Sequence, residues 1–154
     1  MGIIAVLFIW LGTQKGQSGL IMYSRIFFTG LFLTFLGYRL FSIIWNSRRI
    51  TLNIITAAIS GYLLIGLFGG QLCELIHLWI PGSYNLDTGS DVYQLTYFSF
   101  TTLTSLGFGD VLPLSPPAQS LALLLGITGQ LYLTILVAML VGKYLIQEPV
   151  GDAS

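Results

Sequence analysis

The residues most able to do chemistry lie in one stretch, TTLTSLGFGD, residues 101–110. Gly107 and Gly109 flank Phe108, and Asp110 follows directly. Glycine enters positive φ freely, so the two alternating glycines let successive carbonyls point the same way. A row of carbonyls facing an axis replaces the hydration shell of a monovalent cation. The chemistry on offer is therefore coordination by backbone oxygen. Catalysis finds no such constellation: His77 is the only histidine, and no Ser/His/Asp set, metal-ligand cluster or phosphate-binding loop is visible. Cys73 stands alone, so no intrachain disulfide is possible, and it reads as a small apolar helix residue.

The elements that must position this stretch belong to a membrane protein. The chain is 55% hydrophobic and 8% charged, against about 25% charged residues in an ordinary soluble domain. The net charge is zero and there is no basic run, which argues against nucleic acid as a partner. No basic region precedes IIAVLFIWL and no small-x-small site follows it cleanly, so the N-terminus does not read as a cleaved signal peptide. There is no internal repeat and no low-complexity segment.

Residues 3–12 are apolar but too few to span, since a helix needs about 20 residues to cross the hydrocarbon core. They either dip into the membrane or join a longer helix. Residues 20–45 are long enough to span, with Arg25 and Arg39 snorkelling toward headgroups. Two arginines at that separation do not make a voltage sensor. The basic turn NSRRI, residues 46–50, reads as a cytoplasmic hairpin under the positive-inside rule. Residues 51–80 form a second spanning helix, with Gly61, Gly66, Gly69 and Gly70 permitting close helix contacts. Glu74 reads as solvated at the outer surface or paired with His77, and His77 as an interfacial helix-end residue. Trp45 and Trp79 read as interfacial belt residues.

Residues 81–91 form a loop by their Pro, Gly, Asn, Asp and Ser content. Residues 91–104 suit a strand by propensity, but an isolated strand in a membrane leaves its backbone unsatisfied, so a short re-entrant helix is expected. Asp91 is its N-cap, with Gln94 placed for a capping box. Residues 111–117 read as a second outer turn and 118–146 as the last spanning helix. With Arg48 and Arg49 inside, 51–80 runs outward, 92–110 dips in and returns, and 118–146 runs back, leaving Lys143 at the cytoplasmic end. Glu74, Asp87, Asp91 and Asp110 then fall on the outer side and would concentrate cations there. The C-terminal end of the short helix points at the membrane centre, where its partial negative charge favours a cation. SLGFG lies at membrane depth, where non-helical backbone is tolerated only when buried in protein or lining a water-filled cavity.

TLTSLGFGD resembles the selectivity filter of potassium channels, whose common form is T-V-G-Y-G-D. Ser105, Leu106 and Phe108 replace threonine, valine and tyrosine, while Gly107, Gly109 and Asp110 match. The preceding short helix, the helix before it, Pro113 and the stretch GQLYLTILVAMLVG at 129–142 extend the resemblance over about residues 50–146. It implies an all-α membrane protein with a pore domain at 47–146: outer helix 51–80, pore helix 91–104, filter 105–109 and inner helix 118–146. Residues 1–46 would add N-terminal membrane helices, and 147–154 a short cytoplasmic tail. It further implies ion sites from the carbonyls of Ser105, Leu106, Gly107 and Phe108, an innermost ring from the Ser105 hydroxyl, and an outer mouth completed by Gly109. Asp110 would brace the filter from behind, with Tyr97 donating a hydrogen bond to it and Thr101 and Thr104 supporting. Thr101 stands where some relatives carry a carboxylate, and it could equally bond back to helix carbonyls. Gly129 falls at the hinge position, with plain packing the alternative for it and for Gly126. Ala138 and Val141 fall where inner helices would cross and form a gate. Gln130 faces either the cavity or a neighbour.

The resulting expectation is a homotetramer in the cell membrane, multi-pass, with a cytoplasmic C-terminus. It would pass K⁺ passively and have no cofactor beyond the K⁺ ions and no enzymatic role, with lipids as its other partners. A non-selective monovalent cation channel and a non-conducting membrane subunit are the alternatives. The tail is too short for a ligand-binding gating domain, so gating rests on the filter and inner helices, or on partners and lipids.

Overall fold

Long apolar stretches deny the backbone any water, so its N–H and C=O groups must pair within the segment, which selects helix. The computed structural model describes residues 19–46, 52–87 and 91–147. The described residues form four helices: α1, Gly19–Asn46; α2, Leu52–Trp79; α3, Asp91–Leu103; and α4, Pro116–Gln147. The protein is all-α, and among the described residues two helices are long and apolar enough to cross a membrane, over Ile55–Trp79 and Pro116–Met139. The 3–12 segment, the basic turn at 47–50 and the tail from 148 lie outside the described residues, as do the side chains of Trp45 and Lys143.

Each boundary has a local cause. Pro81 cannot continue α2, and the chain turns through Gly82 at φ 81°. Ser83 closes this turn twice on Ile80 O, from its N–H at 3.1 Å and its hydroxyl at 2.6 Å. The structure starts α4 at Pro116, two residues before the expected 118. The two prolines belong to the first helical turn, where a missing N–H costs nothing. Ser115 caps it: its carbonyl accepts Gln119 N–H at 2.9 Å and its hydroxyl accepts Ala118 N–H at 3.4 Å. At α3 the capping box does not form. The Gln94 side chain instead accepts Asp87 N–H at 2.9 Å and donates to Asp87 O at 3.1 Å, tying the preceding loop to the helix.

In lipid, apolar faces gain little by meeting one another, so close contact and hydrogen bonds decide helix packing. Glycines on α2 let α3 approach: a Cβ at Gly70 would fall 2.9 Å from Thr96 Cα. Ser99 on α3 donates to Gly66 O at 2.8 Å across the same seam. On α4, Tyr132 donates to Ala58 O at 2.7 Å and its ring lies 5.5 Å from Tyr62. The core lies toward the loop end of α3, where Cys73, Tyr84, Leu95, Phe98, Val111, Ala118, Leu121 and Leu125 are buried together. Beyond Gly129, α4 leaves Leu131, Ile135, Val137 and Val141 exposed.

One expectation about charge is overturned. Glu74 is neither solvated nor paired with His77. It is 2% exposed and forms a buried ion pair with Arg25 of α1. A carboxylate in apolar surroundings needs a cation and hydrogen bonds to remain ionised, and Arg25 supplies both. Glu74 therefore drops out of the acidic set, leaving Asp87, Asp91 and Asp110 exposed. His77 is partly buried, its Nδ1 unpartnered and its ring 6.2 Å from that of Tyr84.

Candidate functional site

The site is the turn between α3 and α4. Ser105, Gly107 and Gly109 have φ of 59°, 53° and 79°, and among the described residues Ser105 is the only non-glycine at positive φ. Leu106 and Phe108 keep negative φ, so the sign alternates through residues 105–109. Such alternation permits successive peptide planes to turn the same way, with their carbonyls on one side of the strand. A left-handed conformation costs a non-glycine residue about 1–2 kcal/mol, so at Ser105 the surroundings hold the backbone against its preference.

The end of α3 supplies that hold. A helix leaves its last four carbonyls without intrahelical partners, and here each finds a donor. Phe100 O accepts Thr104 N–H at 3.0 Å and the Thr104 hydroxyl at 2.7 Å. Thr101 O accepts Gly107 N–H at 3.1 Å, and Thr102 O accepts Ser105 N–H at 3.0 Å. Leu103 O accepts the Tyr62 hydroxyl of α2 at 3.1 Å. The Thr101 hydroxyl is buried and donates back to Phe98 O at 3.0 Å. By contrast, among the described residues no donor reaches the carbonyl oxygens of 105–109.

Tyr97 meets the segment on its other side. Its ring stacks on Phe108 with centroids 6.4 Å apart and planes 7° apart. Its hydroxyl lies beside the Asp110 carboxylate and interacts with it. Asp110 also accepts Val111 N–H at 3.0 Å. Asn85, from the loop after α2, donates to Asp110 O at 3.1 Å and accepts Leu112 N–H. On the α4 side, Gln130 Nε2 donates to Ser105 Oγ at 2.7 Å. There an open recess of about 780 Å³ is lined by Thr102, Ser105, Ala122, Gly126, Ile127 and Gln130, among others.

A family model described as ion channel matches residues 62–146. That is more than half of the chain. The protein belongs to this ion-channel family. Membership points to transport rather than catalysis. No curated protein and no solved structure matches the chain.

Within the channel, the structure brings Ser105–Gly109, Asp110, Tyr97, Thr101 and Thr104 into one constellation. Gly129 lies against it, because any Cβ there would fall on the Leu103 carbonyl. Packing alone therefore requires that glycine, whatever bending it also allows. Ala138 and Val141 lie two to three turns further along α4, exposed and apart from the constellation. Two contributors went unforeseen. Tyr62 and Asn85 act across the chain and carry no local signal. Gln130 was left open between two faces, although a polar side chain in an apolar helix is itself a functional flag.

Proposed function

We propose that the channel conducts K⁺ selectively and passively, as a homotetramer in the cell membrane with its C-terminus cytoplasmic. The observation that carries this reading is the alternating φ of residues 105–109 combined with the unpartnered carbonyls of the same residues. One chain supplies one strand of oxygens, and an ion stripped of water needs them on all sides. Four copies around an axis meet that need. The carbonyls of Ser105, Leu106, Gly107 and Phe108 then serve as ion sites, the Ser105 hydroxyl as the innermost ring, and Gly109 as the outer mouth. Asp110, backed by Tyr97, and the threonines of α3 hold the strand. Asp87, Asp91 and Asp110 raise the cation concentration at the mouth. Ala138 and Val141 form the constriction at the far end, and lipids surround the apolar faces of α1, α2 and α4.

The test is a bilayer recording of purified protein with equal K⁺ on one side and Na⁺ on the other. A hundredfold preference for K⁺ places the reversal potential about 118 mV from zero, at 59 mV per tenfold. Clear current reversing near zero would instead identify a non-selective cation channel. An intact tetramer in which Ala138 and Val141 variants also fail to conduct would identify a silent subunit.

A further inference from the structure

Serine differs from threonine by one methyl group, and the difference matters where a hydroxyl must point one way. Threonine is stiff at χ1 because two heavy atoms crowd its Cβ. Serine lacks that constraint and samples three staggered rotamers. Ser105 is exposed, stands at the start of the alternating segment, and lines the recess beside α4. Nothing on its own side chain selects a rotamer.

Gln130 selects it from outside. Its Nε2 donates to Ser105 Oγ at 2.7 Å. The residue before it, Gly129, has no Cβ and so lets α4 come into contact with the Leu103 carbonyl. This close approach puts the long amide within reach of the hydroxyl. A hydroxyl oxygen has two lone pairs and one proton to donate. The amide engages one lone pair, which fixes χ1 and leaves the other to face outward.

We propose that Gln130 is a specificity-determining residue of this channel. It positions the Ser105 hydroxyl and so sets how strongly the innermost site prefers a larger, weakly hydrated cation over a smaller one. A wandering hydroxyl ring adapts to either ion, whereas a fixed ring holds one spacing. Gln130 acts through Ser105 and is a positioning residue. The proposal rests on the reading of 105–109 as a K⁺ filter.

The experiment is a double-mutant cycle read as the K⁺/Na⁺ permeability ratio of the purified channel, using wild type, Gln130→Leu, Ser105→Ala and the pair. Loss of one neutral hydrogen bond predicts a roughly three- to tenfold fall for Gln130→Leu, a shift toward zero of about 28–59 mV at 59 mV per tenfold. Ser105→Ala should fall at least as far, and the double variant no further than Ser105→Ala, since both remove the same contact. A selective wild type whose ratio survives Gln130→Leu overturns this proposal alone, as does a double variant in which the two losses add. A wild type reversing near zero overturns the K⁺ reading and this proposal with it.

Gln130→Met, unbranched and of similar length, is carried in parallel so that crowding near Gly129 does not decide the outcome. For a variant without current, the readout is the melting temperature of the tetramer in K⁺ against Na⁺. The wild type should melt higher in K⁺, and a Gln130 variant that keeps the full difference overturns the proposal.

Discussion

The loops on either side of α3 are held in opposite ways. In the first, Ser83 and Tyr84 are buried, and the Tyr84 ring meets Phe98 edge-on at 5.3 Å. It pairs with the turn before α4: Leu114 N–H donates to Ser83 O at 2.8 Å and Asn85 N–H to Leu112 O at 3.3 Å. In the second, residues 104–110 are all exposed, and backbone bonds hold only its beginning, through Ser105 and Gly107. One loop is completed by its own chain. The other presents carbonyls that no donor among the described residues meets, a costly arrangement at membrane depth unless something else meets them. On the proposed reading, ions meet them and neighbouring copies close the ring. The contrast teaches that positive-φ glycines serve one loop that the chain itself completes and another whose carbonyls stay bare.

The contrast breaks or holds on two glycines. Gly82 and Gly107 both have positive φ, and a Cβ at either would have no atom within 4 Å. Alanine at either position therefore meets the same backbone strain, about 1 kcal/mol, and no clash within the protomer. The expected outcomes differ sharply. Gly107→Ala should leave the tetramer assembled, with melting within a few degrees of wild type, yet reduce K⁺ current at least a hundredfold. Gly82→Ala should cost the same stability and keep both current and permeability ratio. Equal loss of current in the two variants would erase the distinction between the loops.

Much of this was legible in the sequence, for identifiable reasons. Uninterrupted apolar runs announce helices, because no other element satisfies its backbone alone in lipid. Gly107 and Gly109 stood out because paired glycines flanking one aromatic do not suit regular helix. The positive φ of Ser105 was invisible, since serine carries no signature of that conformation and the strain is imposed by the end of α3. Pro116 and Pro117 read as turn residues, and only the Ser115 cap shows that they open α4. Glu74 was misread because the sequence displays neighbours three and four positions away, and His77 is one of these, whereas its partner Arg25 lies 49 residues off. Gln94 shows the same limit at shorter range: a capping box and a reach back to Asp87 look alike until the loop is placed.

The Arg25–Glu74 pair sharpens the comparison from the stability side. Both side chains are nearly inaccessible, at 9% and 3%, so breaking the pair leaves a buried charge uncompensated. Arg25→Gln should cost about 3 kcal/mol, read as a fall in melting temperature. Arg25→Gln combined with Glu74→Gln should recover much of that loss, because two neutral amides need no counter-charge. The pair joins α1 to α2 and touches neither loop carbonyls nor Ser105. The K⁺/Na⁺ ratio of the surviving channels should therefore stay at the wild-type value. A change in the ratio would mean that α1 also braces the bare loop through α2.

The smallest expected effect belongs to Asn85, whose side chain bridges the held loop and the end of the bare one, through Asp110 O and Leu112 N–H. Both contacts are exposed, so water replaces them at little cost. Asn85→Ala should lower stability by about 1 kcal/mol and shift the permeability ratio less than Gln130→Leu does. The comparison of the two variants is the informative measurement. If Gln130→Leu has the larger effect, residues 105–109 are tuned from α4, at the inner end where Ser105 sits. A larger effect of Asn85→Ala would place the control at Asp110, and the bare loop would then take its geometry from the loop it was contrasted with.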